Sequence, residues 1–307
     1  MVAKRKIFDE LMEGVAAMKA HRNSRITLPS HKVEAGSRVT ATRPCPLCGC
    51  DNASRPPHRY SQPPWLLKRC LQCGMVYLEN PVEYSALEKE MAWEKTFAAE
   101  AEIRRRRNPI LYRAARAPKA LWQRLLRRDK LVSWARRYFA PGPVLDVGCA
   151  GGHTLERLPS QFVPYGIEIS AELSRLAQER FAPRGGRAVQ GDALSALRQF
   201  DAGFFTGVIM TSFLEHEPEP RAVLAATARA MRPEACLIVK VPNFASWNRA
   251  VRGARWCGFR FPDHVNYFTP NRLGALLSRS GFRVLRFGIF DRFPTSDNMW
   301  LVARRNP

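Results

Sequence analysis

The stretch Val144-Leu-Asp-Val-Gly-Cys-Ala-Gly-Gly152 constrains this 307-residue chain more than any other. A short apolar run that halts at glycines reads as a buried parallel strand breaking into a tight turn before a helix. Two segments follow it in order, Tyr165-Gly-Ile-Glu168 and Gly191-Asp192. Glu168 ends a second apolar run, and at the tip of a neighbouring strand its carboxylate can accept both ribose hydroxyl protons. It lies 20 residues beyond Gly148, a spacing that a dinucleotide fold also uses for its ribose. The glycines discriminate. Seating a pyrophosphate on the helix N-terminus takes G-x-G-x-x-G, whereas the order here is Gly148, Cys149, Ala150, Gly151, Gly152. Asp146, just before the turn, suits an ammonium group and would repel phosphate. A cationic nucleoside cofactor is the better match.

This ordered set resembles the class I S-adenosylmethionine-dependent methyltransferases, whose first motif has the form L-D-x-G-C-G-x-G. The resemblance covers roughly residues 141 to 307. It implies that Asp146, Gly148 and Gly152 bind the methionine end of the cofactor, with Cys149 and Ala150 in the same turn. It further implies that Glu168 binds the ribose and Asp192 the adenine amino group. Ala150 stands where the family usually has its middle glycine. The added methyl is expected to alter the loop slightly without loss of the cofactor.

Gly207 to Phe213 is an apolar, partly β-branched run that reads as a fourth strand. Leu214-Glu-His-Glu-Pro-Glu-Pro220 follows and resembles the family's L-E-H-x-x-D-P segment. Arg221 to Met231 reads as an alanine-rich helix, and Ala235 to Val241 as a fifth strand. Phe282 to Phe290 and Met299 to Arg304 supply two more, which the resemblance orients as a terminal antiparallel pair. The expected fold is α/β: a seven-stranded, mostly parallel, doubly wound Rossmann-like sheet with a small N-terminal zinc ribbon and a helical connector.

The ribbon rests on Cys45-Pro-Leu-Cys48-Gly49 and Cys70-Leu-Gln-Cys73-Gly74, two C-x-x-C-G knuckles with 21 residues between Cys48 and Cys70. That spacing predicts a four-thiolate, tetrahedral zinc site. The loop exceeds the usual range of about 15 to 20 residues, at small cost because loop length is thermodynamically cheap. Disulfides and a redox pair are disfavoured, since nothing marks secretion and no strand-helix context surrounds either motif. A closed four-cysteine shell leaves no position for water, so the zinc is structural. The pattern C-P-x-C-G, then C-x-x-C-G-x-V-Y and a proline, resembles a subgroup of small methyltransferases with this ribbon; Cys73-Gly-Met-Val-Tyr77 and Asn80-Pro81 match it. That resemblance implies sugar, nucleotide-sugar or other cell-envelope acceptors.

The expected organisation is a basic tail at 1 to 40, the ribbon at 41 to 82, a basic helical connector at 83 to 140, and the methyltransferase domain from 141 to 307. The net charge is +22, and residues 104 to 137 hold thirteen Arg or Lys against one Asp. Something anionic is therefore expected nearby: a phosphate-bearing small-molecule substrate, RNA, or a membrane surface met peripherally through the connector. The plain alternative is a helix that packs its apolar stripe and leaves arginines in water. DNA base methylation is demoted, because Thr211-Ser-Phe-Leu-Glu215 fills the place of an N-P-P-Y or D-P-P-Y segment. With no run of about 18 apolar residues and acidic residues interrupting the N-terminus, a cytoplasmic protein is expected.

Methyl transfer to a hydroxyl or carbon needs a proton removed, for which histidine is suited. His216 follows the fourth strand at the sheet's carboxyl edge. His264 lies in Phe261-Pro-Asp-His-Val-Asn-Tyr-Phe-Thr-Pro270, which resembles the family's H-x-x-x-F-T-P segment. Either is a candidate general base; the alternative is that each fixes its own loop. The aromatic lead-in of Trp247, Trp256, Phe259, Phe261 and Tyr267 reads mostly as core, with Trp256 and Phe259 available to stack on a ring. The reading is methyl transfer from S-adenosylmethionine to a hydroxyl or carbon of an anionic small molecule, such as a nucleotide-linked or cell-envelope sugar. The alternatives are RNA methylation and a catalytically inactive, nucleic-acid-binding adaptor.

Overall fold

The computed structural model describes residues 42–82 and 129–307, all within the compact unit Arg38–Pro307. The expected basic tail and residues 83–128 of the expected connector lie outside the described residues.

Between and after the knuckles run β1 (Leu67–Arg69) and β2 (Val76–Leu78), antiparallel with Leu67 opposite Leu78. The end of the connector forms α1 (Lys130–Tyr138), started by Asp129, whose carboxylate accepts from the Leu131 and Val132 amides at 3.1 and 3.4 Å. Its apolar residues Leu131, Trp134 and Ala135 are buried, while Arg136 and Arg137 face water. For this stretch the packed amphipathic helix is what forms: Trp134 meets Trp300 edge-on at 5.9 Å.

The main chain then alternates strand and helix. β3 (Gly142–Val147), α2 (His153–Glu156), β4 (Phe162–Glu168), α3 (Ala171–Phe181), β5 (Arg187–Gln190), α4 (Ala193–Leu197), β6 (Phe205–Thr211), α5 (Pro220–Ala230) and β7 (Met231–Pro242) come first. They are followed by α6 (Trp247–Arg252), β8 (Asn266–Tyr267), α7 (Pro270–Arg279), β9 (Phe282–Arg286) and β10 (Asn298–Arg305). Seven strands join in the order β5-β4-β3-β6-β7-β10-β9. The first five are parallel, and β10 runs antiparallel to both β7 and β9. β10, the reversed strand of the expected terminal pair, thus slots between the fifth strand and β9.

Val144, Leu145 and Val147 of β3 are buried, as are Val208, Ile209 and Met210 of β6. Such continuous apolar runs are what a parallel sheet with both faces covered requires. The chain winds from β3 outward to β4 and β5, then returns to place β6 on the other side of β3. The crevice where strand order reverses lies at the carboxyl ends of β3 and β6, and ligands of open α/β sheets bind there.

The ribbon is built onto this sheet's ligand edge. β2 pairs with β8, Val76 opposite Tyr267 and Tyr77 opposite Asn266, completing a three-stranded sheet β1-β2-β8. Leu67, Val76 and Leu78 share one apolar cluster with Phe244, Trp256, Val265 and Tyr267. Trp256 and Phe259 are therefore occupied in packing, meeting at 5.5 Å edge to face. Trp247, read as core, is instead 63% exposed.

Candidate functional site

Three carboxylates gather at the carboxyl ends of adjacent strands. Asp146 is the penultimate residue of β3, Glu168 the last of β4, and Asp192 follows β5. The turn after β3 is docked on β4, because the amides of Gly148 and Cys149 both donate to the Ile167 carbonyl, at 2.9 and 3.0 Å. Glu168 holds the same turn from its side chain: Oε2 accepts from the Ala150 amide at 2.8 Å and Oε1 from the Ser170 amide at 3.0 Å. Asp192 caps α4, accepting from the Ser195 amide at 2.8 Å.

Left-handed backbone shapes the turn. Gly148 has φ +74° and Gly152 φ +82°. A Cβ at Gly152 would come within 2.8 Å of Phe181 and 3.1 Å of the Ala177 backbone, so glycine both permits the conformation and lets α3 close on the turn. Ala150 itself sits at φ +46°, a conformation that costs a non-glycine residue about 1–2 kcal/mol and that the Glu168 hydrogen bond holds in place. Cys149 is buried against Gly166, and its thiol is pushed up by burial.

Asp146 is 1% exposed and its Oδ1 has no hydrogen-bond partner. Burial, and then the neighbouring Glu168, push its carboxyl well above the usual carboxylate range. An unpartnered buried acceptor of this kind wants a donor or a cation. An S-adenosylmethionine ammonium beside Asp146, a ribose at Glu168 and an adenine near Asp192 fit the donor set and the glycine cradle.

A second group stands beyond β6. The rings of His216 and His264 meet edge to face, with centroids 4.7 Å apart. The Nδ1 of His216 lies 3.0 Å from the Asp263 carbonyl, and that of His264 lies 2.8 Å from the Gly258 carbonyl. Burial brings His216 down to about 4. Glu215 is also buried, its carboxyl pushed up to about 8 by that burial, and its Oε2 has no hydrogen-bond partner.

The loops carrying these groups are tied to each other and to the ribbon. The Glu215 carbonyl accepts from the Val265 and Asn266 amides at 2.7 and 3.0 Å. The Asn266 amide group donates to the Leu214 and Glu217 carbonyls at 2.9 and 2.6 Å. The guanidinium of Arg43, just ahead of the first knuckle, donates to the Leu78, Pro218 and Val265 carbonyls and to Asn266 Oδ1, at 2.5 to 3.0 Å. Burial lowers Arg43 only to about 10, so it stays cationic.

The four knuckle cysteines converge, with Cys45 Sγ 3.5 Å from Cys73 Sγ and Cys48 Sγ 3.4 Å from Cys70 Sγ. These separations exceed the roughly 2.05 Å of a disulfide and match thiolates spaced around one tetrahedral ion. The knuckles repeat one backbone pattern: the Gly49 amide donates to the Cys45 carbonyl and the Gly74 amide to the Cys70 carbonyl. The four sulfurs are compatible with a small zinc ribbon.

The candidate cofactor, catalytic and metal residues read from the sequence fall into these three groups. Arg43, Asn266 and the clustering of Glu215 with both histidines were missed. Arg43 and Asn266 carry no motif, but Glu215 was visible as the acidic member of Leu214-Glu-His216.

Comparison with known proteins places the chain among related sequences. The family described as methyltransferase domain matches residues 112–286. A ubiquinone biosynthesis O-methyltransferase of Xanthomonas axonopodis pv. citri (strain 306) is 30% identical over 163 residues, 49% of this chain and 66% of that protein. The match thus falls just short of two thirds of that relative's length. Its namesake from Burkholderia pseudomallei (strain 1710b) is 26% identical over 165 residues, 50% of this chain and 71% of that protein. Among solved structures, a SAM-dependent methyltransferase from Methanosarcina mazei superposes with TM-score 0.44 at 21% identity, covering 56% of this chain and 96% of that one. One from Archaeoglobus fulgidus gives 0.44 at 19%, covering 61% and 99%. The strand order described above is what defines the fold.

Proposed function

We propose that this chain, which belongs to the methyltransferase-domain family, transfers the methyl group of S-adenosylmethionine to a hydroxyl oxygen of an anionic small molecule. The observation that carries the cofactor half is Asp146, a buried carboxylate with an unpartnered oxygen at the sheet's switch point. Relatives named as O-methyltransferases support oxygen over carbon as the acceptor atom. The charge of +22 supports an anionic acceptor, with nucleotide-linked and cell-envelope sugars as the class to try first. Among the described residues no helix is long and apolar enough to cross a membrane.

Bound S-adenosylmethionine supplies an electrophilic methyl on a sulfonium. The chain's own residues supply position, which accounts for much of the acceleration in an in-line displacement. Asp146 would pair with the ammonium, Glu168, which already holds the Ala150 amide, would take the ribose, and Asp192 would take the adenine amino group. Gly148 and Gly152 let the backbone come close. His216 and His264 would lie beside the acceptor hydroxyl, and each ring is held by its Nδ1 contact to a backbone carbonyl. The cysteine set holds structural zinc that folds the ribbon.

One consequence is measurable before any acceptor is known. The Asp146 carboxyl binds its proton more tightly in the free folded protein than an ordinary aspartate does, while the complex needs the carboxylate. Cofactor binding should therefore weaken as pH falls through the raised Asp146 pKa and, at pH values below that pKa, where the calorimetry is done, release a proton. Calorimetric titrations in buffers of different ionisation enthalpy should differ by that proton, and identical heats would refute the assignment.

The functional reading itself is tested by incubating the zinc-loaded protein and labelled cofactor with nucleotide sugars, phenolic acids and total RNA. Label on a small-molecule oxygen supports it. Label on RNA alone sinks it in favour of RNA methylation.

A further inference from the structure

We infer that Glu215, His216 and His264 form a second metal centre, distinct from the four-cysteine site, that takes a divalent first-row transition ion. One ligand atom from each residue lies within 4.8 Å of the others. An ion about 2.0–2.2 Å from each needs them at roughly 3–4 Å, so binding it would draw the three side chains slightly together. The supporting geometry is what ligating histidines require. Each Nδ1 is held at a backbone carbonyl, 3.0 Å for His216 and 2.8 Å for His264. That contact selects the tautomer with its lone pair on Nε2 and fixes the ring.

Glu215 supplies an independent observation. Its Oε2 is buried without a hydrogen-bond partner although the residue is 1% exposed. Buried carboxylate oxygens are normally satisfied by a donor or a metal. Lys240 and Arg260 are the cations facing it. Arg260 is bridged to Asp263 at 3.3 Å, and Lys240 lies 3.5 Å from the Ser212 hydroxyl and over the Trp300 ring. The Asp263 carboxylate thus offsets the Arg260 charge and reduces the field against an added cation.

The ligands come from two loops that the Glu215 carbonyl and Asn266 already clamp together, so the site is pre-assembled. Two imidazoles and one carboxylate suit zinc, iron(II), cobalt or manganese, whereas four thiolates select zinc. Three protein ligands also leave positions open, unlike the closed cysteine set. Resting on the hydroxyl-acceptor reading, those positions would receive the acceptor oxygen. A metal neighbour lowers a hydroxyl's pKa, so the proton passes to water. The oxygen lone pair then bonds to the methyl carbon, and the breaking C–S bond returns its electrons to sulfur, giving S-adenosylhomocysteine. The histidines then act as ligands and not as the general base.

The test is metal content and cobalt spectroscopy on the full chain. Wild type, saturated with Co2+ and desalted, should hold two equivalents, one with thiolate charge-transfer absorption and one without. Glu215→Gln and His264→Ala should each drop to one, keeping the thiolate band and an S-adenosylmethionine affinity within about two-fold, which shows them folded. Should either variant fail to fold, paramagnetically shifted histidine resonances in cobalt-loaded wild type provide the same readout. A single thiolate-type equivalent in wild type, or two retained in both variants, overturns the site. Two equivalents with no transfer to any hydroxyl would uphold the site and sink the acceptor reading instead.

Discussion

Asp146→Asn should weaken S-adenosylmethionine binding about 100-fold, close to 3 kcal/mol, while leaving the free protein as stable as wild type or more so. The first effect follows from removing one partner of a buried ion pair, which costs about 3–5 kcal/mol; the amide recovers part of that as a hydrogen bond. The second follows from the sign of the raised Asp146 pKa. A carboxyl that binds its proton more tightly folded than unfolded favours folding below the unfolded pKa. That contribution is lost as pH rises toward the folded pKa, so above the unfolded pKa keeping this carboxyl buried costs stability that asparagine restores. Calorimetric titration and thermal melts check the pair of effects. Wild-type affinity in Asp146→Asn would remove the residue from the cofactor site.

Removing the zinc proposed for the four cysteines should uncouple acceptor from cofactor. Structural zinc contributes apparent binding energies of about 10–16 kcal/mol in small zinc modules, so Cys70→Ser or prolonged chelation should unfold the ribbon. The damage should then travel by a defined route. β2 would release Asn266 and Tyr267, and Arg43 would lose its hold on Pro218, Val265 and Asn266. The His264 loop should become exchange-labile, and the KM for the acceptor should rise by about ten-fold or more. Cofactor affinity should change by less than about three-fold, because Asp146 and Glu168 sit on β3 and β4 and Asp192 just after β5, none of which pairs with the ribbon strands. Hydrogen exchange over residues 258–268, read beside cofactor titration, separates the two. Equal loss of both affinities would mean that the ribbon supports the whole domain and not the acceptor loop.

Much of the cofactor edge was legible from the chain alone. Apolar runs ending in glycine, an acid at the next strand's tip and a Gly-Asp pair recur in an order that few folds accommodate, and each signal is local. Strand limits shifted by a few residues: the fourth runs Phe205–Thr211, earlier than Gly207 to Phe213. That is because Ser212, at φ +56°, breaks the ladder before the apolar run ends. The antiparallel pairing of the last two strands came only from family likeness, and the placement of β10 between β7 and β9 only from the structure, since alternation carries no information about neighbours.

By itself, then, the sequence determined the doubly wound sheet, the row of carboxylates at its edge and the two thiolate knuckles, because short-range patterns encode strand, turn and ligand spacing. Tertiary structure alone decided that the ribbon adds its strands to Asn266–Tyr267, that Arg43 is buried as a clamp, and that Glu215, His216 and His264 converge. Those contacts join residues as far as 223 positions apart, and no local periodicity records which distant surfaces will bury each other.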